Sequence, residues 1–139
     1  MNASRPFAPL VDCLKQAGLR PTRQRLALAK LLFEPGFRHV TAEQLHAEAA
    51  GANMRVSLAT VYNTLHQFTR QGLLREVVVD PGRSYFDTNT GDHHHFFFEE
   101  SGELQDVDGA AVELARLPDA PSGTKLGRVD VVIRLLPQK

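Results

Sequence analysis

The segment SLATVYNTLHQFTRQ, residues 57–71, decides the fold. Read at helical period, Leu58, Val61, Leu65 and Phe68 fall on one apolar stripe, a face made to be buried. The opposite face carries Ser57, Thr60, Asn63, Gln67 and Arg70, with Ala59 and Tyr62 on its flanks. Hydroxyls, amides and a guanidinium on one helix face are groups that hydrogen-bond to base edges in a major groove. Ala59 and the Thr60 methyl suit thymine methyl groups, and Tyr62 suits a base or a phosphate. A solvated helix face is polar too, so the surroundings of this helix carry the decision.

Ser57 caps the helix and Gly72 closes it. Upstream, Thr41-Ala42-Glu43-Gln44 has the spacing of a capping box and opens a helix to about Ala50. Pro21-Thr22 precede RQRLALAKLLF, whose Leu28, Leu31 and Leu32 share a face, and Glu34-Pro35-Gly36 break it. Leu10 to Ala17 is amphipathic and ends at Gly18. Downstream, LLREVVVD and RSYFDT flank Pro81-Gly82 as a β-hairpin. Three helices followed by a two-stranded hairpin is the order of a winged helix-turn-helix. Thr88 to Gly91 then forms a polar hinge, and the rest alternates strand (HHHFFFE, continuing to ELQDV), helix (GAAVELARL) and strand (RVDVVIRLL). The expected class is α+β, with an N-terminal winged-helix domain over 1–87, a hinge at 88–91 and a small α/β domain over 92–139.

The chain of 139 residues has room for one domain or two small ones. Its net charge of zero hides a division: residues 1–75 carry 10 Lys/Arg against 4 Asp/Glu, and residues 76–139 carry 6 against 12. A basic half facing a polyanion fits this asymmetry. Arg20, Arg23 and Arg25 cluster where the second helix begins, suited to phosphates or a narrow minor groove. No apolar run approaches a membrane span, and MNASRPFAPLVDC lacks the build of a signal peptide. The single cysteine, Cys13, excludes an intramolecular disulfide and any cysteine-built zinc knuckle within the chain. The economical expectation is a cytoplasmic protein.

The stretch GDHHHFFFEE, residues 91–100, holds half of the chain's six histidines. As a strand it turns His93, His95 and Phe97 to one side and His94, Phe96 and Phe98 to the other. His-x-His on one face gives two nitrogen ligands to one ion, and two ligands do not make a site. Asp87, Asp106 and His39 are candidates for the remainder, as suits manganese, iron or zinc; each taken alone reads equally as a surface polar residue. His94, beside Phe96 and Phe98, reads either as an axial ligand for haem iron or as a partly buried strand histidine.

GLRPTRQR, HVTAEQLH, SLATVYNTLHQF and the wing strand ending YFDT resemble, in order and over almost the whole chain, the Fur family of metal-responsive bacterial transcription regulators. HHHFFF beside GLRPTRQR looks most like the iron response regulator branch. The resemblance implies a homodimer on an AT-rich inverted repeat of double-stranded DNA, joined through the second half as a dimerisation and sensor domain. It makes Arg20 the minor-groove residue and Thr60 and Tyr62 the major-groove contacts. Asn63 stands where Fur proteins proper often place Arg, so the operator is expected to differ. The resemblance also makes His39, Asp87, His93, His95 and Asp106 the regulatory metal site, in the version with three His and two Asp that includes peroxide sensors. In the iron response branch it implicates the run His93, His94 and His95 in haem binding, with His94 the axial candidate. Asp92, His94 and Glu113 resemble a second metal site whose remaining histidine is replaced near Arg128-Val129.

Two departures stand out. Many members hold a structural zinc with four cysteines; here the first pair's positions are Phe98 and Ser101, and no cysteine follows. No such zinc is expected, and the second half is expected to pack through Phe96 to Phe98, Val112, Leu114, Val131, Val132 and Ile133. A Cys-Pro haem motif of some members is replaced by Arg5-Pro6, while Cys13 precedes Leu14 as a helix-packing residue.

The leading expectation is a winged-helix repressor or activator responding to iron status through haem or a divalent ion and controlling iron or haem homeostasis genes. Peroxide, manganese or zinc sensing keeps the fold and changes the signal. A metalloenzyme is disfavoured because five protein ligands leave little room for substrate, and no nucleophile elbow, phosphate loop or acid/base carboxylate pair is present. An iron or haem carrier leaves the polar stripe of 57–70 and the basic half without a use.

Overall fold

Three hydroxyl side chains set the helix starts of the first half. Thr22 accepts from the backbone N–H of Arg25 at 3.2 Å, Thr41 from Gln44 at 3.0 Å and Ser57 from Thr60 at 3.0 Å. Each satisfies an amide that a first helical turn leaves without an internal acceptor. They open α2 (Arg23–Phe33), α3 (Ala42–Gly51) and α4 (Leu58–Arg70), which follow α1 (Ala8–Gln16). The structure is a computed structural model that describes residues 8–139, so the Arg5-Pro6 position lies outside the described residues. The chain divides between Thr90 and Gly91 into two compact units.

In the first unit, α1 stops where Gly18 turns at φ +81° and the Leu19 N–H reaches back to the Leu14 carbonyl at 2.8 Å. The helices bury Leu14, Leu28, Leu32, Leu45, Val61, Leu65 and Phe68 around Phe86. The stripe read from α4 needs one correction. Leu58 is 36% exposed, because at the first helical position its side chain points toward the N-terminus and past the core. Thr64 is buried instead, its hydroxyl donating to the Thr60 carbonyl at 2.9 Å.

The wing is the antiparallel pair β2 (Arg75–Asp80) and β3 (Arg83–Asp87), turned through Gly82 at φ +80°. A strand absent from the sequence reading, β1 (His39–Val40), pairs with the other edge of β3, giving the order β1-β3-β2. Two residues are too short to show a strand period. Their register nevertheless sets His39 opposite Asp87. The ladder continues past Asp87, since Arg38 and Thr88 exchange bonds: the Arg38 N–H donates to the Thr88 hydroxyl at 2.9 Å and the Thr88 N–H to the Arg38 carbonyl at 3.1 Å. The Arg38 guanidinium grips Glu48 of α3 at 2.9 and 2.6 Å, a bidentate pair fixing the approach to β1.

The second unit is a sheet of order β5-β4-β6. β4 (His93–Phe98) pairs antiparallel with β5 (Leu104–Asp108) and parallel with β6 (Val132–Leu135). The helix expected over 109–117 does not form. Gly109–Ala111 makes one 3-10 turn, capped by the Asp108 carboxylate on the Ala110 N–H at 3.0 Å, and residues 112–131 form neither helix nor strand. The segment runs only to Pro118, and Leu114 and Leu117 are both 45% exposed, so no buried face repays helix nucleation. The residues expected to supply apolar packing are covered unequally. Among the described residues of this unit, Phe97 and Val107 are the buried apolar side chains; Phe96, Phe98, Val112, Val131, Val132 and Ile133 are half-buried and Leu114 is exposed. Among the described residues, no helix is long and apolar enough to cross a membrane.

Candidate functional site

Strand alternation in β4 puts the rings of His93 and His95 side by side, their Nε2 atoms 3.0 Å apart. The β4–β5 register sets Asp106 opposite His95, and its Oδ1 lies 3.3 Å from His93 Nε2 and 3.5 Å from His95 Nε2. Both imidazoles are buried. His93 Nδ1 lies 2.7 Å from the Gly91 carbonyl, which only accepts, so Nδ1 carries the proton. A neutral ring with its proton on Nδ1 would present the Nε2 lone pair toward His95 and Asp106. A carbonyl behind a histidine and two nitrogens plus a carboxylate oxygen in front are the surroundings of a divalent-metal ligand set.

The first unit holds a second set. His39 Nε2 lies 3.2 Å from Asp87 Oδ2, and Asp87 is fully buried. Its other oxygen, Oδ1, accepts the Asn89 N–H at 2.9 Å, which orients the carboxylate. The nitrogen–oxygen donor chemistry matches that of β4 and β5 and suits iron, manganese or zinc.

His94 is held differently. The Val131 N–H donates to its Nδ1 at 3.2 Å, tying β4 to the approach of β6. With Nδ1 accepting, the neutral ring keeps its proton on Nε2, so that atom has no lone pair to offer haem iron or another cation. The side chain is buried as a strut of the sheet. Asp92, His94 and Glu113 do not come together as a ligand group among the described residues. Asp92 lies instead against Gly109, where an added Cβ would fall 3.1 Å from the Asp92 carbonyl oxygen. Glu113 sits exposed on the irregular segment that replaces the expected helix. Phe98 and Ser101, the positions compared with a cysteine pair, line an apolar cleft of about 450 Å³ with Leu135, Leu136 and Pro137.

On α4, Ala59, Asn63 and Arg70 are exposed, and Thr60, Tyr62 and Gln67 are half-buried. Ser57 is exposed but committed, its oxygen accepting the Thr60 N–H and its hydroxyl donating to Thr60 Oγ1 at 2.9 Å. Arg20 and Arg23 are exposed, whereas Arg25 bridges elements: Nη2 donates to Gln67 Oε1 at 3.1 Å and Nη1 to the Arg20 carbonyl at 2.9 Å. Arg25 is thereby held against α4 and tied to the backbone at Arg20. The sequence reading missed Glu43, at the start of α3, whose carboxylate oxygens accept from the Tyr62 hydroxyl at 3.0 and 3.1 Å. That hydrogen bond, then burial, then the Glu43 charge raise the Tyr62 pKa above the usual tyrosine value. Only the packing of α3 on α4 brings residues 43 and 62 together, and no spacing signals it.

Known proteins resemble this chain in sequence and in fold. Residues 16–131 match the model of the Ferric uptake regulator family. The ferric uptake regulation protein of Bordetella parapertussis is 37% identical over 81 residues, 58% of this chain and 58% of that protein. The peroxide operon regulator of Bacillus subtilis is 34% identical over 104 residues, 75% of this chain and 71% of its own. In three dimensions the chain is similar to the ferric uptake regulator of Pseudomonas aeruginosa with manganese, with a TM-score of 0.71 and 27% identity over 92% of this chain and 97% of that one. The chain belongs to the Ferric uptake regulator family, whose members are metal-responsive transcription regulators rather than enzymes.

Proposed function

We propose that this chain is a cytoplasmic, homodimeric regulator of iron-handling genes that reads an AT-rich inverted repeat through α4 and answers to a divalent ion. His39 and Asp87, with His93, His95 and Asp106, are assigned as the ligands of that ion, iron foremost and manganese or zinc by the same donor chemistry. The observation that carries the reading is the His93 ring: its Nδ1 proton is committed to the Gly91 carbonyl, and its Nε2 faces His95 Nε2 at 3.0 Å and Asp106 at 3.3 Å. A bound cation would supply the positive charge that lets two lone pairs and a carboxylate sit at this range. The names of relatives, ferric uptake regulation proteins and a structure with manganese among them, support the same signal. DNA contact is assigned to Ala59, Thr60, Tyr62, Asn63, Gln67 and Arg70, with Arg20, Arg23 and Arg25 on phosphates or in the minor groove; Ser57 serves as the cap. Haem as the signal would require His94 to give up the Val131 N–H and move its proton, so the ion is preferred and haem becomes the contrasting arm of the test.

Fluorescence anisotropy on an AT-rich inverted-repeat duplex, with manganese and haem titrated separately, tests this. Manganese is expected to change the dissociation constant at least tenfold, and His93→Ala to abolish the response. Affinity that ignores manganese and falls with haem would overturn the assignment. A peroxide-responsive version is favoured by the similarity to the Bacillus subtilis peroxide operon regulator. It is checked by mass spectrometry for an oxygen added to His39 or His93 after peroxide treatment of the iron-loaded protein.

A further inference from the structure

Tyr62 is held on two sides before any DNA arrives. Its ring centroid lies 6.1 Å from that of His66, which lies 5.7 Å from that of the buried Phe86, so a row of rings runs from the core to the surface. On the other side its hydroxyl donates to both oxygens of the exposed Glu43. A neutral phenol has one proton to donate. Committed to Glu43, the proton leaves only lone pairs for a further partner, beside a negative charge.

The geometry points to Glu43 as a specificity-determining positioning residue: by engaging the Tyr62 proton it makes the phenol oxygen an acceptor that reads an exocyclic amino group, adenine N6 or cytosine N4, in the major groove. This rests on the DNA-reading assignment of α4 given above. Phosphate oxygens, guanine N7 and O6, adenine N7 and thymine O4 are all acceptors and would meet lone pair against lone pair. The amino groups of adenine and cytosine are the major-groove donors that remain. Released from Glu43, the hydroxyl could turn and donate to any of those acceptors, phosphates included, and selectivity would fall. The raised Tyr62 pKa agrees with a proton firmly held at this bond.

The test is selection from a randomised duplex pool by the full chain in manganese, comparing wild type with Glu43→Ala, Glu43→Gln and Tyr62→Phe, followed by salt titrations on the enriched duplex. Glu43 is exposed, so its replacement leaves the fold in place, and circular dichroism checks this. Wild type is expected to prefer A or C at the position that depends on Tyr62. Glu43→Ala and Tyr62→Phe should lose roughly five- to tenfold of that preference, the worth of about one interfacial hydrogen bond. Glu43→Gln, which keeps an acceptor and drops the charge, should retain it within about twofold. The salt dependence of Glu43→Ala should steepen by about one phosphate contact. An unchanged preference in Glu43→Ala, a preference for G or T at that position, or a Gln variant as unselective as the Ala variant would overturn the inference while leaving DNA binding in place. Absence of salt-dependent duplex binding by wild type would overturn the reading of α4 and this inference with it.

Discussion

The two units of this chain are stabilised in different ways. Among the described residues, the first buries fourteen apolar side chains in one cluster, from Leu14 to Phe86. The second buries Phe97 and Val107 and leaves Leu114, Leu117, Leu126 and Leu136 exposed. A unit of the first kind has a core of its own to hold its shape, as the proposed match of α4 to a groove would require. The second unit, described over 91–139, buries few apolar side chains and so has little core to hold it. Its order is expected to draw on what binds it, the proposed ion and the proposed second copy. Conditional stability placed at the ligand set is how a signal acquires leverage, since a site already rigid has nothing to gain from its ligand.

The largest effect should come from the first unit's core. Phe68→Ala removes a fully buried ring and should cost about 3–5 kcal/mol in urea denaturation. Leu114→Ala, on an exposed side chain, should change monomer stability by less than about 0.5 kcal/mol and instead weaken self-association in sedimentation. Equal costs at the two positions would erase the contrast between the units. Next in size is the ion itself. Manganese at a hundredfold its Kd should add about 2.7 kcal/mol to the folded state. Hydrogen exchange should show the added protection in β4 and β5 rather than in α4, and His93→Ala should remove it. Protection spread evenly through α4 would show that the second unit has no separate, conditional stability.

A smaller effect tests the first unit's local encoding. Thr41→Ala deletes the cap on the Gln44 N–H and should cost about 1 kcal/mol, read as a shift in the urea midpoint. Caps of this kind are why so much of the first unit was legible: Thr22, Thr41 and Ser57 announce helices whose apolar periods follow at once. The wing was legible from Pro81-Gly82 between two alternating runs. The two-residue β1 carries no period, so the partnership of His39 with Asp87 came from resemblance rather than from pattern. The stretch GAAVELARL looks helical by composition, yet helical order there needs a buried face, and in this unit its leucines have none. The metal reading shows the same limit at finer grain. Alternation placed His93 and His95 together, but the proton positions that separate His93 from His94 depend on the Gly91 carbonyl and the Val131 N–H, which no sequence spacing reveals.

The smallest effect belongs to Tyr62 and lies far from neutral pH. Glu43's hydrogen bond, with lesser shares from burial and from the carboxylate charge, raises the Tyr62 pKa in the folded chain. The folded state then holds the proton more tightly than the unfolded chain does. Its contribution to stability is fully present below the ordinary tyrosine value of about 10 and is lost as the pH rises through the raised folded value. Wild type should therefore lose slightly more stability than Glu43→Ala across that alkaline window, and the two should run parallel at neutral pH. The difference in tyrosinate absorbance between wild type and Tyr62→Phe measures the titration directly. Were Tyr62 to ionise at the ordinary value or below, the bond to Glu43 would not persist in solution. The phenol would then be free to donate, and the first unit would be less preorganised around Tyr62 than its core implies.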